Sequence, residues 1–272
     1  ASNTGKAGTM NVFGESQAAL DVMADQVIEK ELRRSELVSL IVSEEKDEPM
    51  IAEATRGSEY LVAYDPLDGS SLIDVNFAIG SIFGIWEKPG EVMGSKIGDH
   101  MVASCYIVYG PRVTLVIGVK GLGVHEFELN DVGEFVLSDE NMTVSKEYKN
   151  FAPGNLKACV EDAKTKALLD HFVMNSKKLR YSGGMTPDIN HIFCKGQGIF
   201  YYPRDAKNPD GKLRLLFECG PFSFLMEEAG GIGVDQEGNR ILDKVVDDFH
   251  GNIPIFIGSE NAVNEARAIL NN

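Results

Sequence analysis

Close-spaced cysteines, long apolar runs and an excess of positive charge are all missing from this 272-residue sequence. Its four cysteines, Cys105, Cys159, Cys194 and Cys219, are scattered, which excludes a zinc knuckle or a dense disulfide scaffold and favours a reducing compartment. No stretch approaches the length that spans a bilayer, so no membrane helix is expected. Lys and Arg number 26 against 41 Asp and Glu, a net charge of −15, so nucleic acid and anionic membrane are not expected partners. There is no repeat or low-complexity tract. No signal peptide pattern opens the chain. A cytoplasmic setting is expected; because the first residue is not Met, the alternative is the plastid stroma after removal of a transit peptide. A chain of this length can bury one large core or two modest ones.

What is present is most concentrated at Asp65-Pro66-Leu67-Asp68-Gly69-Ser70-Ser71. The preceding run, Glu59 to Tyr64, is β-branched and aromatic and reads as a buried strand, while Pro66 and Gly69 turn the chain after it. Two carboxylates at a strand end suit Mg²⁺ or Mn²⁺, and the backbone N–H groups of Gly69, Ser70 and Ser71 suit a phosphate. Together they point to metal-assisted phosphoryl transfer. The plainer reading is an acidic turn, because Asp, Pro, Gly and Ser are what turns are made of. More ligands are needed than one loop supplies. Glu44 and Glu45 end another strand, Leu37 to Val42, and Glu218 stands among Leu215, Leu216, Phe217 and Phe222, where an unpaired charge is costly. Glu218 either holds a metal or pairs with Lys212 or Arg214.

Strand signals dominate up to about residue 150. After a flexible opening at Ser2 to Gly8, the spacing of Ala19, Leu20, Met23, Val27, Ile28 and Leu32 predicts a helix over Ser16 to Arg34. Strands are expected at Phe77 to Trp86, Arg112 to Lys120 and Val124 to Leu129, with a helix at Asp99 to Val108. The second half alternates: helices at Asp162 to Val173, from Pro187, at Leu213 to Ala229 and at Asn261 to Leu270, with strands at Leu179 to Tyr181, Gly198 to Tyr202 and Ile253 to Ile257.

These motifs resemble the fructose-1,6-bisphosphatase family of sugar bisphosphatases. The resemblance rests on the Asp65–Ser71 loop followed by Ile73-Asp74, on Ser43-Glu44-Glu45, with Glu44 21 positions before Asp65, and on Lys212 to Glu218. Phe151 to Lys157, Leu179 to Met185 and Pro187 to Asn190 look most like sedoheptulose-1,7-bisphosphatases. Membership implies an α/β fold layered α/β/α/β/α with two subdomains, here residues 1–150 for metal binding and 151–272 for sugar-phosphate binding. The resemblance implies two or three Mg²⁺ ions (or Mn²⁺) per site. It puts Glu44, Asp65, Asp68, Glu218 and the carbonyl of Leu67 at ligand positions, and Glu15 where an aspartate assists another ion. Asp21 and Glu45 would position and deprotonate the attacking water. Gly69, Ser70 and Ser71 would hold the departing phosphate and Arg214 the transferring oxygens. Tyr181, Met185, Tyr202 and Lys212 would bind the sugar and distal phosphate, with Arg180 donated by a neighbouring subunit of a homo-oligomer, dimer or tetramer.

Taken singly, Tyr181 and Tyr202 read as core-edge aromatics and Lys212 as a solvated charge. The chain departs from the fructose-bisphosphatase pattern at Gly154-Asn155, where that pattern has Asn-Glu; Asn155 is the candidate substitute. His125, His191 and His250 read as structural or surface residues. Glu59 stands where the AMP-regulated enzymes carry a lysine, and Ser2 to Phe13 holds no cysteine, so neither AMP nor thioredoxin control is expected. The expected reaction is release of the 1-phosphate of sedoheptulose 1,7-bisphosphate, with a fructose-1,6-bisphosphatase or a dual-substrate enzyme as the alternative. A metal-binding protein without activity is a third reading, which the full set of ligand positions disfavours.

Overall fold

A computed structural model describes residues 6–10, 16–54 and 59–271. Lys6–Met10 (β1) and Ser16–Ala18 (β2) pair antiparallel, so the opening expected to be flexible contains a short ladder, and the first helix, α1, starts later than expected, at Ala19–Ser35. Val38–Ser43 (β3), Met50–Ile51 (β4), Tyr60–Asp68 (β5), Ile79–Glu87 (β6), Met101–Tyr109 (β7), Val113–Val119 (β8), Gly123–Leu129 (β9) and Phe135–Asp139 (β10) form an eight-stranded sheet in the order β10-β9-β8-β7-β6-β5-β3-β4. Its ladders are antiparallel except β3 with β5, which run parallel.

The rest of the chain supplies Asn150–Pro153 (β11), Ala158–Glu161 (α2), Ala163–Met174 (α3), Lys178–Leu179 (β12), Met185–Lys195 (α4), Ile199–Tyr202 (β13), Leu213–Arg214 (β14), Gly220–Glu228 (α5), Ile232–Val234 (β15), Asn252–Ile253 (β16), Ile255–Gly258 (β17) and Glu260–Asn271 (α6). A second sheet of five strands runs β12-β11-β13-β17-β15, while β14 and β16 form a separate two-stranded ladder.

Side-chain alternation on the strands explains how the layers stack. Along β5, Val62 and Tyr64 join Val38, Ile41, Ile28 and Leu32 in a core between α1 and the first sheet. Their neighbours Leu61 and Ala63 face the opposite way, into the largest core, shared with Phe193 of α4, Phe222 and Leu225 of α5, and Phe200 and Ile257 of the second sheet. A third core, with Phe172, Tyr201, Phe256 and Ala266, lies between the second sheet and α3 with α6. The layers are therefore α1, sheet, α4 and α5, sheet, α3 and α6, the α/β/α/β/α order that the resemblance implies. Local chemistry sets the helix ends: Asp162 caps α3 by accepting from Lys164 and Thr165 N–H groups, and Gly196 closes α4 in the left-handed conformation. Among the described residues no helix is long and apolar enough to cross a membrane.

Two helix expectations fail. Asp99 to Val108 is the strand β7: its buried positions follow a mostly two-residue period, and it lies between β6 and β8. The face that is only half-buried carries Val102, Cys105 and Ile107, so the strand has the near-continuous apolar run that a buried helix also has. Leu213 to Ala229 divides into β14, a π-helical turn at Leu215–Cys219 and α5, whose first turn carries Pro221. Strands β10, β11 and β15 carry too little pattern to be read as strands from sequence. Phe222 is fully buried, with its ring 5.3 Å from that of Tyr106. Phe222→Ala should cost about 3–5 kcal/mol of stability, seen as a lower urea midpoint.

Candidate active site

The parallel pairing of β3 and β5 brings two acidic strand ends together. Ser43 lies opposite Tyr64, and Glu44 N–H donates to Tyr64 O at 3.1 Å, so Glu44 leaves its strand beside Asp65. Pro66, expected to turn the chain, lies inside β5, where the ladder to β6 shifts register between Asp65 and Asp68; this bulge is pinned by its own carboxylate, since Asp65 Oδ1 accepts from Leu67 N–H at 2.9 Å. Asp68 Oδ2 accepts from Thr186 N–H at 2.5 Å, at the start of α4. Glu218 comes from the π-helical turn, the wider coil that often marks a functional position. Its Oε2 accepts the backbone N–H of Arg214 at 2.6 Å, while the Arg214 guanidinium lies 3.5 Å from Glu44. The side-chain pair that the sequence left open for Glu218 is thus made by Glu44.

One oxygen each from Asp65, Asp68 and Glu218 lie within 4.8 Å of one another, and all three residues are buried. Burial first, and repulsion from Glu44 and Asp68 next, push the proton affinities of Asp65 and Glu218 well above the carboxylate range. Asp68 is raised by burial, against the Thr186 N–H that favours its charge. Glu44 is pushed up to about 7, chiefly by burial, with Arg214 opposing and Glu45 and Asp68 adding repulsion. Several carboxylates sharing one Arg214 form a strongly negative pocket of hard oxygen donors. That donor set fits a divalent cation such as Mg²⁺.

Behind these groups stands a polar brace that the sequence reading missed. Asp25 on α1 accepts from Ser43 Oγ at 2.6 Å and Tyr64 OH at 2.7 Å, and pairs with Lys46 at 3.1 Å. Ser43 Oγ in turn accepts from Glu45 N–H. His250, read as a structural or surface residue, has its Nε2 3.0 Å from Lys46 O, and its own carbonyl accepts from Arg214 Nη1. Arg214 also donates to Asn252 Oδ1 across the β14–β16 ladder. The Glu44–Glu45 turn and the Arg214–Glu218 segment are thereby tied to each other.

A cleft of about 610 Å³ opens over this floor. Asp21, Glu44, Glu45, Asp65, Leu67, Asp68 and Glu218 line it, as do Gly69, Ser70 and Ser71, where a 3₁₀ turn begins. Tyr181, Met185, Tyr202, Lys212 and Arg214 line it as well. Two expected residues do not. Asn155 is turned to Pro203 and Asp205, and Arg180 is exposed, donating to Leu179 O. Glu15 lies outside the described residues. The cleft also holds Gly184, Asn208 and Asn252, of which the two asparagines, in a loop and on a two-residue strand, carry no sequence signal. Asp188, buried beneath the Ser182–Gly184 bend, accepts from Ser182 N–H at 2.8 Å, and burial raises it to about 6.

Two family descriptions match the chain: the fructose-1-6-bisphosphatase N-terminal domain over residues 1–140 and the C-terminal domain over residues 144–271. A class 1 fructose-1,6-bisphosphatase of Geobacter sulfurreducens is 47% identical over 266 residues, 98% of this chain and 83% of that protein. A chloroplastic sedoheptulose-1,7-bisphosphatase of Triticum aestivum is 37% identical over 262 residues, 95% of this chain and 65% of that protein. The Leishmania major fructose-1,6-bisphosphatase in holo form superposes with a TM-score of 0.91 at 34% identity, covering 99% of this chain and 86% of that one. With both domains matched and the layered fold shared, this chain belongs to the fructose-1,6-bisphosphatase family, and it is a sugar bisphosphatase.

Proposed function

We propose that the protein hydrolyses the 1-phosphate of fructose 1,6-bisphosphate. The observation that carries the chemistry is the buried set Asp65, Asp68 and Glu218 at the floor of a cleft. The resemblance of Phe151 to Lys157, Leu179 to Met185 and Pro187 to Asn190 to sedoheptulose-1,7-bisphosphatases favours a seven-carbon sugar. The relatives of Geobacter sulfurreducens and Syntrophotalea carbinolica, 47% and 44% identical, are fructose-1,6-bisphosphatases, against 37% for the wheat sedoheptulose enzyme, and this moves the reading to six carbons.

Asp65, Asp68 and Glu218 would hold Mg²⁺, with Glu44 and the Leu67 carbonyl beside them. When bound, the ion supplies Lewis acidity, making a water a better nucleophile and neutralising charge on phosphoryl oxygens. Glu45 and Asp21 orient the attacking water and take its proton as its oxygen bonds to phosphorus and the bond to the sugar O1 breaks. Backbone N–H groups of Gly69, Ser70 and Ser71 hold the phosphoryl oxygens, and Arg214 offsets their growing charge. Tyr181, Tyr202 and Lys212 receive the sugar and the distal phosphate. Residues 1–150 then serve the ion end and 151–272 the sugar end, with Glu218 crossing from the second half. Arg180, exposed and away from the cleft, serves a neighbouring subunit of a homo-oligomer.

Steady-state kinetics on both bisphosphates with Mg²⁺ test the substrate. The specificity constant for fructose 1,6-bisphosphate should exceed that for sedoheptulose 1,7-bisphosphate by about tenfold, the discrimination that one carbon supports. A higher constant for the seven-carbon sugar would reverse the assignment.

A further inference from the structure

Resting on the sugar-bisphosphate reading, we propose that Gly154 and Asn155 form a latch that sets the reach of the distal wall of the cleft, and so the preferred sugar length. Asn155 is a positioning residue in this role, not a ligand of the substrate. Its amide nitrogen has two hydrogens, and two acceptors take them: Pro203 O at 2.9 Å and Asp205 Oδ2 at 3.1 Å. What remains is a carbonyl oxygen, which repels a phosphate.

The other oxygen of Asp205 carries the effect onward. Asp205 Oδ1 accepts from Lys207 N–H at 2.9 Å, from Asn208 N–H at 2.8 Å and from Asn208 Nδ2 at 3.0 Å. Asn208 lines the cleft near Lys212, whereas Asn155 and Asp205 do not. The chain Asn155, Asp205, Asn208 therefore links a residue outside the cleft to one on its wall. Asn155 sits at φ 48°, a left-handed conformation that asparagine tolerates better than most side chains, and it brings the donor the latch needs.

Gly154 acts on the same wall. A Cβ there would fall 2.3 Å from Cδ2 of Tyr202, so the Tyr202 ring occupies the space that a side chain at position 154 would fill. Adjacent residues thus seat Tyr202 and, through Asp205, Asn208. Freeing them loosens the wall and admits a longer sugar.

The test uses the full chain with Mg²⁺ and both bisphosphates. Asn155→Ala and Asp205→Ala should each raise KM for fructose 1,6-bisphosphate about fivefold, the loss expected for a hydrogen bond, with kcat changed less than about twofold. The double variant should be no worse than Asp205→Ala alone, because removing Asp205 already breaks the linkage that Asn155→Ala cuts. The ratio of specificity constants should move toward the seven-carbon sugar in all three. Amide hydrogen exchange at Lys207 and Asn208 should quicken in both single variants. An Asp205→Ala protein with wild-type KM and wild-type exchange overturns the latch, as does an Asn155→Ala defect confined to kcat. If the wild type cleaves neither sugar, the functional reading falls, and exchange at Lys207 and Asn208 still decides the linkage.

Discussion

Asp68→Asn should lower kcat by about a thousandfold and, in protein stripped of divalent ions, raise the melting temperature. The two effects have one origin. Asp68 is 8% exposed and shares its pocket with Asp65, Glu218 and Glu44, an arrangement that suits a cation and penalises the empty site. An amide of the same shape keeps an oxygen for Thr186 N–H, which Asp68 accepts at 2.5 Å, so the start of α4 stays anchored. It removes one charge from a crowded set, and relief of that repulsion should add about 1–2 kcal/mol to the stability of the stripped protein. Thermal melts in a chelator, beside turnover with Mg²⁺, read both. Turnover that survives the substitution would remove Asp68 from the ligand set.

Chelation should abolish activity and leave a protein whose stability falls as pH rises from about 4.5 to about 7. Glu44 loses its proton near 4.5 in the unfolded chain but only at about 7 when folded. Across that window the folded state binds more protons, so unfolding becomes easier as they are removed. Asp65, Asp68 and Glu218 are shifted in the same direction and steepen the fall. Mg²⁺ competes for the same oxygens, so its stabilising effect should grow with pH and restored activity should accompany it. Melts at about pH 5 and about pH 8, with and without the ion, give the comparison. Stability of the chelated protein that rises over this range would show that these carboxylates do not share a buried pocket.

Legibility in the sequence followed the chemistry of each segment. Strand β5 could be read because Tyr60 to Tyr64 is a β-branched and aromatic run, but the turn expected at Pro66 does not occur there: the strand continues through a bulge to Asp68 and the chain turns at Gly69. Glu218 could be read because a carboxylate in an apolar run demands a reason. Strand β7 could not, since its half-exposed face carries Val102, Cys105 and Ile107 and so lacks the polar alternation that distinguishes strand from helix. Asp25 could not, because nothing in one sequence reveals that Ser43, Tyr64 and Lys46 converge on it. Nor does the sequence show where the Asn155 amide turns, because its partners Pro203 O and Asp205 Oδ2 stand 48 and 50 residues away.

The meeting of Glu218 with β5 has a consequence for how the chain reaches its native state. Asp65 and Glu218 are 153 positions apart, and they approach only when the π-helical turn docks on the first sheet. Loop closure of that length is slow and its contacts form late. During synthesis, the segment that carries Asp65 and Asp68 emerges long before Glu218, and for that time it has no third carboxylate to repel. The acidic pocket and the largest core are therefore completed in one step, because Leu216, Phe217 and Phe222, which flank Glu218, belong to that core.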